Sequence, residues 1–462
     1  MAFSSISFLF YFLPLFFAVY WLVPARWKNA ILAAGSLFFY AWGDLRSVPL
    51  LIGSILVTYA LGRAMRSEAP ARRKKLVLLL GLVFHLAVLV AFKYADFFFG
   101  SLLPLPELAL PLGISFYTFH AMSYLIDVYR GSAPPQKNLL QLSVYLAMFP
   151  KLVMGPIAPY HALSAALSRR ELSVEDTAAG CFRFAVGLGK KALLADTLAG
   201  LVAGIWGNLS DLTVLGAWLG LLGYALQLYF DFSGYSDMAI GLGRMLGFRL
   251  PENFRYPYLC SSVSDFWRRW HVSLGAWFRE YLYFPLGGSR RGVLCTLRNL
   301  LIVWLATGLW HGASWNYVLW GLYFGILICA EKLLAPVFRG RAKKAVLAKL
   351  YRPLSLLLAL LGWVLFRAPD LPAAGQYLSA LFGGAAAVSA QARLYLHDYL
   401  PALLLGCIGA TPLISRLAER LNARLRPAVR TVIQTAILLA LLACSTLWLL
   451  NGSFQSFIYA QF

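Results

Sequence analysis

Two histidines stand in aromatic surroundings within one stretch of the chain, His271 in SDFWRRWHVSLGAWFREYLYFPLGG and His311 in LLIVWLATGLWHGASWNYVLWG. The second segment is apolar enough to lie in a membrane, where a titratable group is costly to keep and is a functional candidate by default. A neutral imidazole has a pKa near working pH, so it can take the proton from a hydroxyl as that oxygen attacks an acyl carbon. The developing oxyanion needs donors in a low-dielectric site, which Asn316, a tryptophan N–H or an arginine could supply. On a helix, Trp304, Thr307, Gly308, His311 and Trp315 share one face, mixing small residues with aromatic walls and one base. Trp304, Trp310, Trp315 and Asn316 are the substrate-lining candidates around His311. A histidine hydrogen-bonded between two helices would read the same way.

Around His271, Ser264 or Asp265 can cap a helix, and Phe266, Trp270, Leu274, Trp277 and Tyr281 recur at helical spacing. Arg268, Val272, Gly275 and Arg279 line another face, and Pro285 to Gly288 stops the pattern. This predicts a basic, aromatic-rich amphipathic helix at or just under a membrane interface. His271 shares a face with Trp267 and Phe278; a histidine so placed is more often structural than catalytic. Asp265, Arg268, Arg269, Trp270 and Arg279 are the substrate candidates of this segment. The polar interval that holds it carries Arg244, Arg249, Arg255, Arg268, Arg269, Arg279, Arg290, Arg291 and Arg298 and no lysine. Guanidinium suits bidentate contacts to phosphate, and positive-inside anchoring would also place it there.

The elements that must position these residues are membrane helices. Of 462 residues, 60% are hydrophobic and 13% charged, more apolar surface than a soluble chain of this length can hide. The net charge of +22 falls in short clusters between apolar segments, which is the pattern of a polytopic membrane protein and not of a nucleic-acid-binding surface. Six cysteines are scattered singly, so neither a zinc site nor a disulfide framework is indicated. The segment Ile6 to Val23 has no basic residue ahead of it, and Arg26 and Lys28 follow; it reads as a retained span with the N-terminus outside.

Further candidate spans lie near 30–42, 48–62, 76–98, 108–127, 139–154, 192–206, 212–231, 299–313, 315–333, 354–366, 400–414 and 431–450. Together they predict an all-α polytopic protein of about 11–13 membrane helices, some too short for the ~20 residues of a full crossing and so tilted or re-entrant. Basic clusters at Arg63 to Lys75, Arg339 to Arg352 and Arg416 to Arg430 are taken as cytoplasmic, which leaves 367–399 and the C-terminus at Phe462 outside. The weak point is 155–191: Arg169, Arg170, Lys190 and Lys191 require the inside although 139–154 reads as an outward crossing, and a re-entrant element at Gly155 to Leu167 would reconcile them. One membrane-embedded domain over 1–462, with its catalytic core near 108–333, is expected.

Some patterns mislead. Gly241-Leu-Gly-Arg-Met-Leu-Gly247 has the wrong spacing for a dinucleotide loop, and GLGKKA at 187–192 lacks the P-loop spacing; both read as helix-packing glycines. Asp231, Ser233, Ser236 and Asp237 form a polar knot that either lines a cavity or ties helices together. His85, His120, His161 and His397 have no partnering pattern.

DFWRRWHVSLGAWFREYLYFPLGG followed by TGLWHGASWNYVLWG resembles the membrane-bound O-acyltransferase family, in its bacterial alginate O-acetylase branch. The resemblance extends to FSSISFLFYFLP at the start, PLGISFYTFHAMSYLIDVYRG at 111–131, GLGKKALLADTLA at 187–199 and YFDFSGYSDMAIGLGRMLGF at 229–248. It implies a many-helix fold around a central tunnel in the bacterial cytoplasmic membrane, with His311 as the family's near-invariant catalytic histidine and His271 as the second motif histidine. It implies an acyl thioester on the cytoplasmic side, acetyl-CoA or an acyl carrier, as donor, with no tightly bound cofactor and no metal. The acceptor it implies is an extracytoplasmic polysaccharide, reached through a partner transferase protein. Gly275 where a serine is usual, Glu280 where an aspartate is usual and His120 where glutamine is general are departures that bear on the acceptor path. Two alternatives remain open: D-alanyl transfer toward teichoic acid from a carrier-protein thioester, and a transporter relaying protons through its intramembrane histidines. The second lacks the paired inverted halves common in transporters.

Overall fold

The computed structural model describes residues 2–66, 68–100, 109–334, 341–451 and 457–458. Arg339 and Phe462, both used in the charge argument, lie outside the described residues. Among the described residues every regular element is helical, as the hydrophobic patterning predicts. Among the described residues six helices are long and apolar enough to cross a membrane: Ala71–Phe98, Val214–Met245, Gly292–His311, Trp315–Leu334, Lys349–Arg367 and Pro427–Leu450. A bent pair, Ala390–Gly409 with Leu413–Arg424, turns by 64° at its break, and Phe8–Leu22 and Val48–Ala64 are shorter apolar helices.

The other apolar segments fold as short pieces. Residues 139–154 split into Leu139–Ala147 and Phe149–Leu152, with Pro150 in the first turn of the second. At 1.5 Å per residue the nine residues of the first rise only ~13 Å against a ~30 Å hydrocarbon core. The expected outward crossing at 139–154 is therefore absent. Tyr160–Ser168, also nine residues, follows in the stretch expected to be re-entrant. Lys191 is buried beside two carboxylates, so its charge carries no information about membrane side.

The chain groups into two compact units, one of Met1–Leu188, Tyr235–Glu252 and Leu449–Gln461, the other of Gly189–Gly234 and Asn253–Trp448. In the first, Ile114–Arg130 is buried at every residue from Ile114 to Val128, the burial expected of a helix without a polar face. Gly180 and Gly241 pack backbone to backbone there: a Cβ on either would sit 2.6 Å from the other's carbonyl oxygen. The glycines of 241–247 thus serve packing, as their spacing suggests. Asp237 of the polar knot pairs with Arg183 at 2.8 Å.

The second unit holds both histidines. Here the knot's Asp231 lies 2.7 Å from Lys191 Nζ, which is also 2.7 Å from Asp196, all three groups almost wholly buried. A buried cation between two carboxylates is costly to break, because any one partner removed strands a charge in low dielectric. Asp231 and Asp237 therefore tie helices, each within its own unit.

Candidate active site

His311 ends the helix Gly292–His311 and is 2% exposed. The helix stops because Gly312 turns extended, and its missing side chain leaves room for the Tyr317 ring. After two more residues the chain re-enters a helix, Trp315–Leu334. The two helices form a tight hairpin through glycines: a Cβ on Gly308 would fall against the Tyr317 carbonyl oxygen, and one on Gly321 against that of Trp304. Small residues that let backbones touch are what holds apolar helices together where no hydrophobic force acts between them. The face expected to be inward is buried at Trp304, Thr307, Gly308 and His311. Trp315 does not share it: it begins the second helix and is 64% exposed.

His311 sits in an aromatic cage. Its imidazole meets Trp320 at 4.9 Å, Phe366 at 5.1 Å and Trp310 at 4.8 Å between ring centroids, each close to edge-on. Trp320 and Trp363 are fully buried and stack at 6.4 Å, and Trp363 packs on Phe366. Trp304 and Trp267 extend the wall through Trp320 and Phe324. Such rings exclude water and lower the local dielectric, which strengthens every electrostatic interaction of a bound reactant. Asn316 is buried and its amide donates to the Ala368 carbonyl at 2.7 Å, tying the second hairpin helix to the residue after Arg341–Arg367.

His271 arrives by a different route. The single helix expected over this segment is two, Val263–Arg269 and Val272–Phe278, with π-helical turns at Arg279–Tyr283. The cap is Ser262, not Ser264 or Asp265: in extended backbone, its Oγ accepts the Asp265 N–H at 3.0 Å. Glu331 takes the N–H groups of Val263 and Ser264 at 2.6 and 2.9 Å, a carboxylate at the positive end of the helix. The joint is His271 itself, at φ 45°, ψ 52°. A non-glycine residue in this left-handed region costs ~1–2 kcal/mol, and such strain persists only where the surroundings over-determine it. Asn253 provides that restraint: its carbonyl accepts the Val272 N–H at 3.0 Å, and its Oδ1 accepts the Ser273 N–H at 3.2 Å and hydroxyl at 2.8 Å.

The burial pattern follows the predicted periodicity although the backbone does not. Phe266, Trp270, Leu274, Trp277 and Tyr281 are buried, whereas Arg268, Gly275 and Arg279 are exposed. Arg269 Nε donates to Asp265 at 3.0 Å, and Asp265 also accepts the Ser261 N–H and hydroxyl. Burial raises the Asp265 carboxyl, but the Ser261 N–H and the Arg269 guanidinium outweigh it and hold the group below its usual range. Trp270 packs on Trp363 at 4.8 Å. His271 is 2% exposed, its ring 4.6 Å from Phe232 and 5.9 Å from Trp310. It lies between two short helices that do not span, and burial pushes its pKa down to about 3, so the imidazole is neutral near pH 7.

Both histidine rings therefore lie against the same indole, Trp310. Of the residues singled out by sequence, the structure gathers His271, His311, Trp310, Trp304 and Trp270 into one connected aromatic assembly. Asn316 and Asp265 tie backbone near it, and Arg268, Arg279 and Trp315 are on the exposed side. Phe232, Trp320, Trp363, Phe366 and Asn253 are cage and support residues that sequence reasoning missed. They come from four separate segments, and their only advance signal is the aromatic density of those segments.

Residues 107–349 match the family model described as MBOAT, membrane-bound O-acyltransferase family. A probable alginate O-acetylase AlgI of Azotobacter vinelandii is 42% identical over 394 residues, covering 83% of this chain and 78% of the relative. A peptidoglycan O-acetyltransferase of Helicobacter pylori is 35% identical over 422 residues, covering 82% and 80%. A teichoic acid D-alanyltransferase of Bacillus subtilis is 28% identical over 228 residues, covering 47% and 58%.

Proposed function

The chain belongs to the membrane-bound O-acyltransferase family, and from that premise we propose that it moves an acetyl group from a cytoplasmic thioester, acetyl-CoA, toward a hydroxyl of an extracytoplasmic polysaccharide, with a partner protein completing the transfer. The observation that carries this reading is the pair of buried histidines held against one indole in a cage of aromatic rings. In the reaction, the acceptor oxygen attacks the thioester carbonyl while His311 takes its proton. The tetrahedral oxyanion collapses, the C–S bond breaks, and the proton held by His311 goes to the leaving thiolate. His271, neutral and buried against Trp310, assists by shaping the pocket and offering a polar edge to the carbonyl or the thioester. A dry cage suits this chemistry, because water admitted to it would compete with the hydroxyl and hydrolyse the thioester.

Acetyl is favoured over D-alanyl by the comparison: relatives named for O-acetylation align over more than four-fifths of the chain, and the D-alanyltransferase over less than half. His311→Ala should lower ester acetylation of the envelope polymer by at least about a thousandfold, within the range expected for loss of a general base in a preorganised site. The measurement is acetate released by mild base from isolated envelopes, at unchanged protein abundance. Wild-type acetate in that variant overturns the role of His311, and D-alanine in place of acetate in the wild type overturns the choice of acyl group.

A further inference from the structure

The helix Leu413–Arg424 has no buried residue. Leu413, Ile414, Leu417 and Leu421 are 60, 58, 55 and 52% exposed, and at 100° per residue they fall within a ~100° arc. Arg416, Arg420 and Arg424 recur at i, i+4 and i+8, running from beside one edge of that arc to just inside it, and Arg426 and Arg430 follow; all five are exposed. Ser415, on the opposite side of the helix, is tied to the Tyr256 hydroxyl at 2.8 Å. The polar side is thus the one docked on the protein, and the apolar stripe with its arginine edge points away from it. The helix does not cross a bilayer, because its 12 residues rise only ~18 Å. It leads directly into the apolar span Pro427–Leu450.

We infer that Leu413–Arg424 is a binding site for the headgroups of anionic phospholipids, lying in the bilayer interface with its leucines in the acyl boundary and its arginines on the phosphates. An amphipathic helix with a cationic border adopts this position, long arginine stems reach from the apolar boundary to the headgroups, and each basic residue beside an anionic surface adds attraction. The choice of occupant follows from charge complementarity and from continuity with the adjacent span. It rests on the membrane embedding of the chain, not on its chemistry, so it is read without turnover.

The test uses the purified full-length protein in nanodiscs of equimolar phosphatidylglycerol and phosphatidylcholine, with retained lipid counted by mass spectrometry after extraction into detergent. The wild type should retain phosphatidylglycerol over phosphatidylcholine by at least about tenfold, weakening as salt rises. R416Q/R420Q/R424Q should reduce that preference to about twofold or less, while R416K/R420K/R424K keeps most of it. Glu419→Lys, which replaces the one acidic residue of the helix, should raise the preference about two- to fivefold and serves if the triple glutamine variant does not accumulate. Equal retention of the two lipids by the wild type, an unchanged preference in the triple glutamine variant, or no rise with Glu419→Lys overturns the inference. Displacement of phosphatidylglycerol by inorganic phosphate beyond that by chloride at equal ionic strength also overturns it, marking a site for free phosphate instead.

Discussion

A strained histidine stays strained only while something holds its neighbours, and for His271 Asn253 does so through its main-chain carbonyl and its side-chain Oδ1. Asn253→Ala removes the acceptor of two buried donors, at a cost of about 1–2 kcal/mol to the turn. On the role proposed for His271, the expected kinetic result is a kcat lower by about tenfold with a smaller change in KM, since the turn sets the imidazole's position in the pocket. Asn253→Asp keeps the oxygen and should recover most of the rate. An equal loss in both variants, or a change in KM alone, would show that the amide matters for something other than this turn. The face of His311 was legible in the sequence, because Trp304, Thr307, Gly308 and His311 lie within one unbroken helix and share its 3.6-residue period. The joint at His271 was not, because no glycine or proline marks it and its restraint is a long-range contact from Asn253. Trp315 was misplaced on the His311 face for a related reason: extending the period past Gly312 carries it across a helix end.

At the scale of elements, the hairpin of Gly292–His311 and Trp315–Leu334 is the piece on which the site depends. Its helices touch along Gly308 and Gly321, where a Cβ on Gly321 would meet the Trp304 carbonyl oxygen and lie 3.1 Å from the Gly308 Cα. Gly321→Val must separate the helices and move Trp304 and Trp320, both of which are cage residues. The variant should yield less than about a tenth of the wild-type monodisperse protein in detergent, since overpacking and backbone displacement together cost several kcal/mol. A wild-type chromatographic profile and normal activity would show that the hairpin has slack that the structure does not suggest. Helix type and most helix positions followed from apolar runs, whereas the break within 139–154 did not. A mostly apolar stretch such as 139–154 looks continuous in sequence, but Met148 and Pro150 divide it into pieces too short to cross.

At the scale of the whole molecule, the arrangement of charge gives a testable orientation. The stretch from Ala368 to Pro412 carries no lysine and a single arginine, Arg393, whereas Arg416 to Arg430 carries five arginines. The positive-inside rule then sets the turn at Gly383 and Gly384 outside and the end of Leu413–Arg424 inside. A protease-cleavable tag inserted between Gly383 and Gly384 should be cut in intact spheroplasts, and one inserted after Arg424 only after lysis; the reverse pattern would invert the proposed topology. Not every lysine or arginine is usable in such counting: Lys191 is consumed by Asp196 and Asp231 in the interior. The closeness of the hairpin's turn has a consequence for biosynthesis. Only Gly312, Ala313 and Ser314 separate the two apolar helices, so a connection this short makes them antiparallel neighbours as soon as both have left the ribosome. Entry into lipid as one glycine-zipped hairpin would deliver the imidazole at the tip together with the hairpin's tryptophans, instead of taking it across the hydrocarbon unaccompanied.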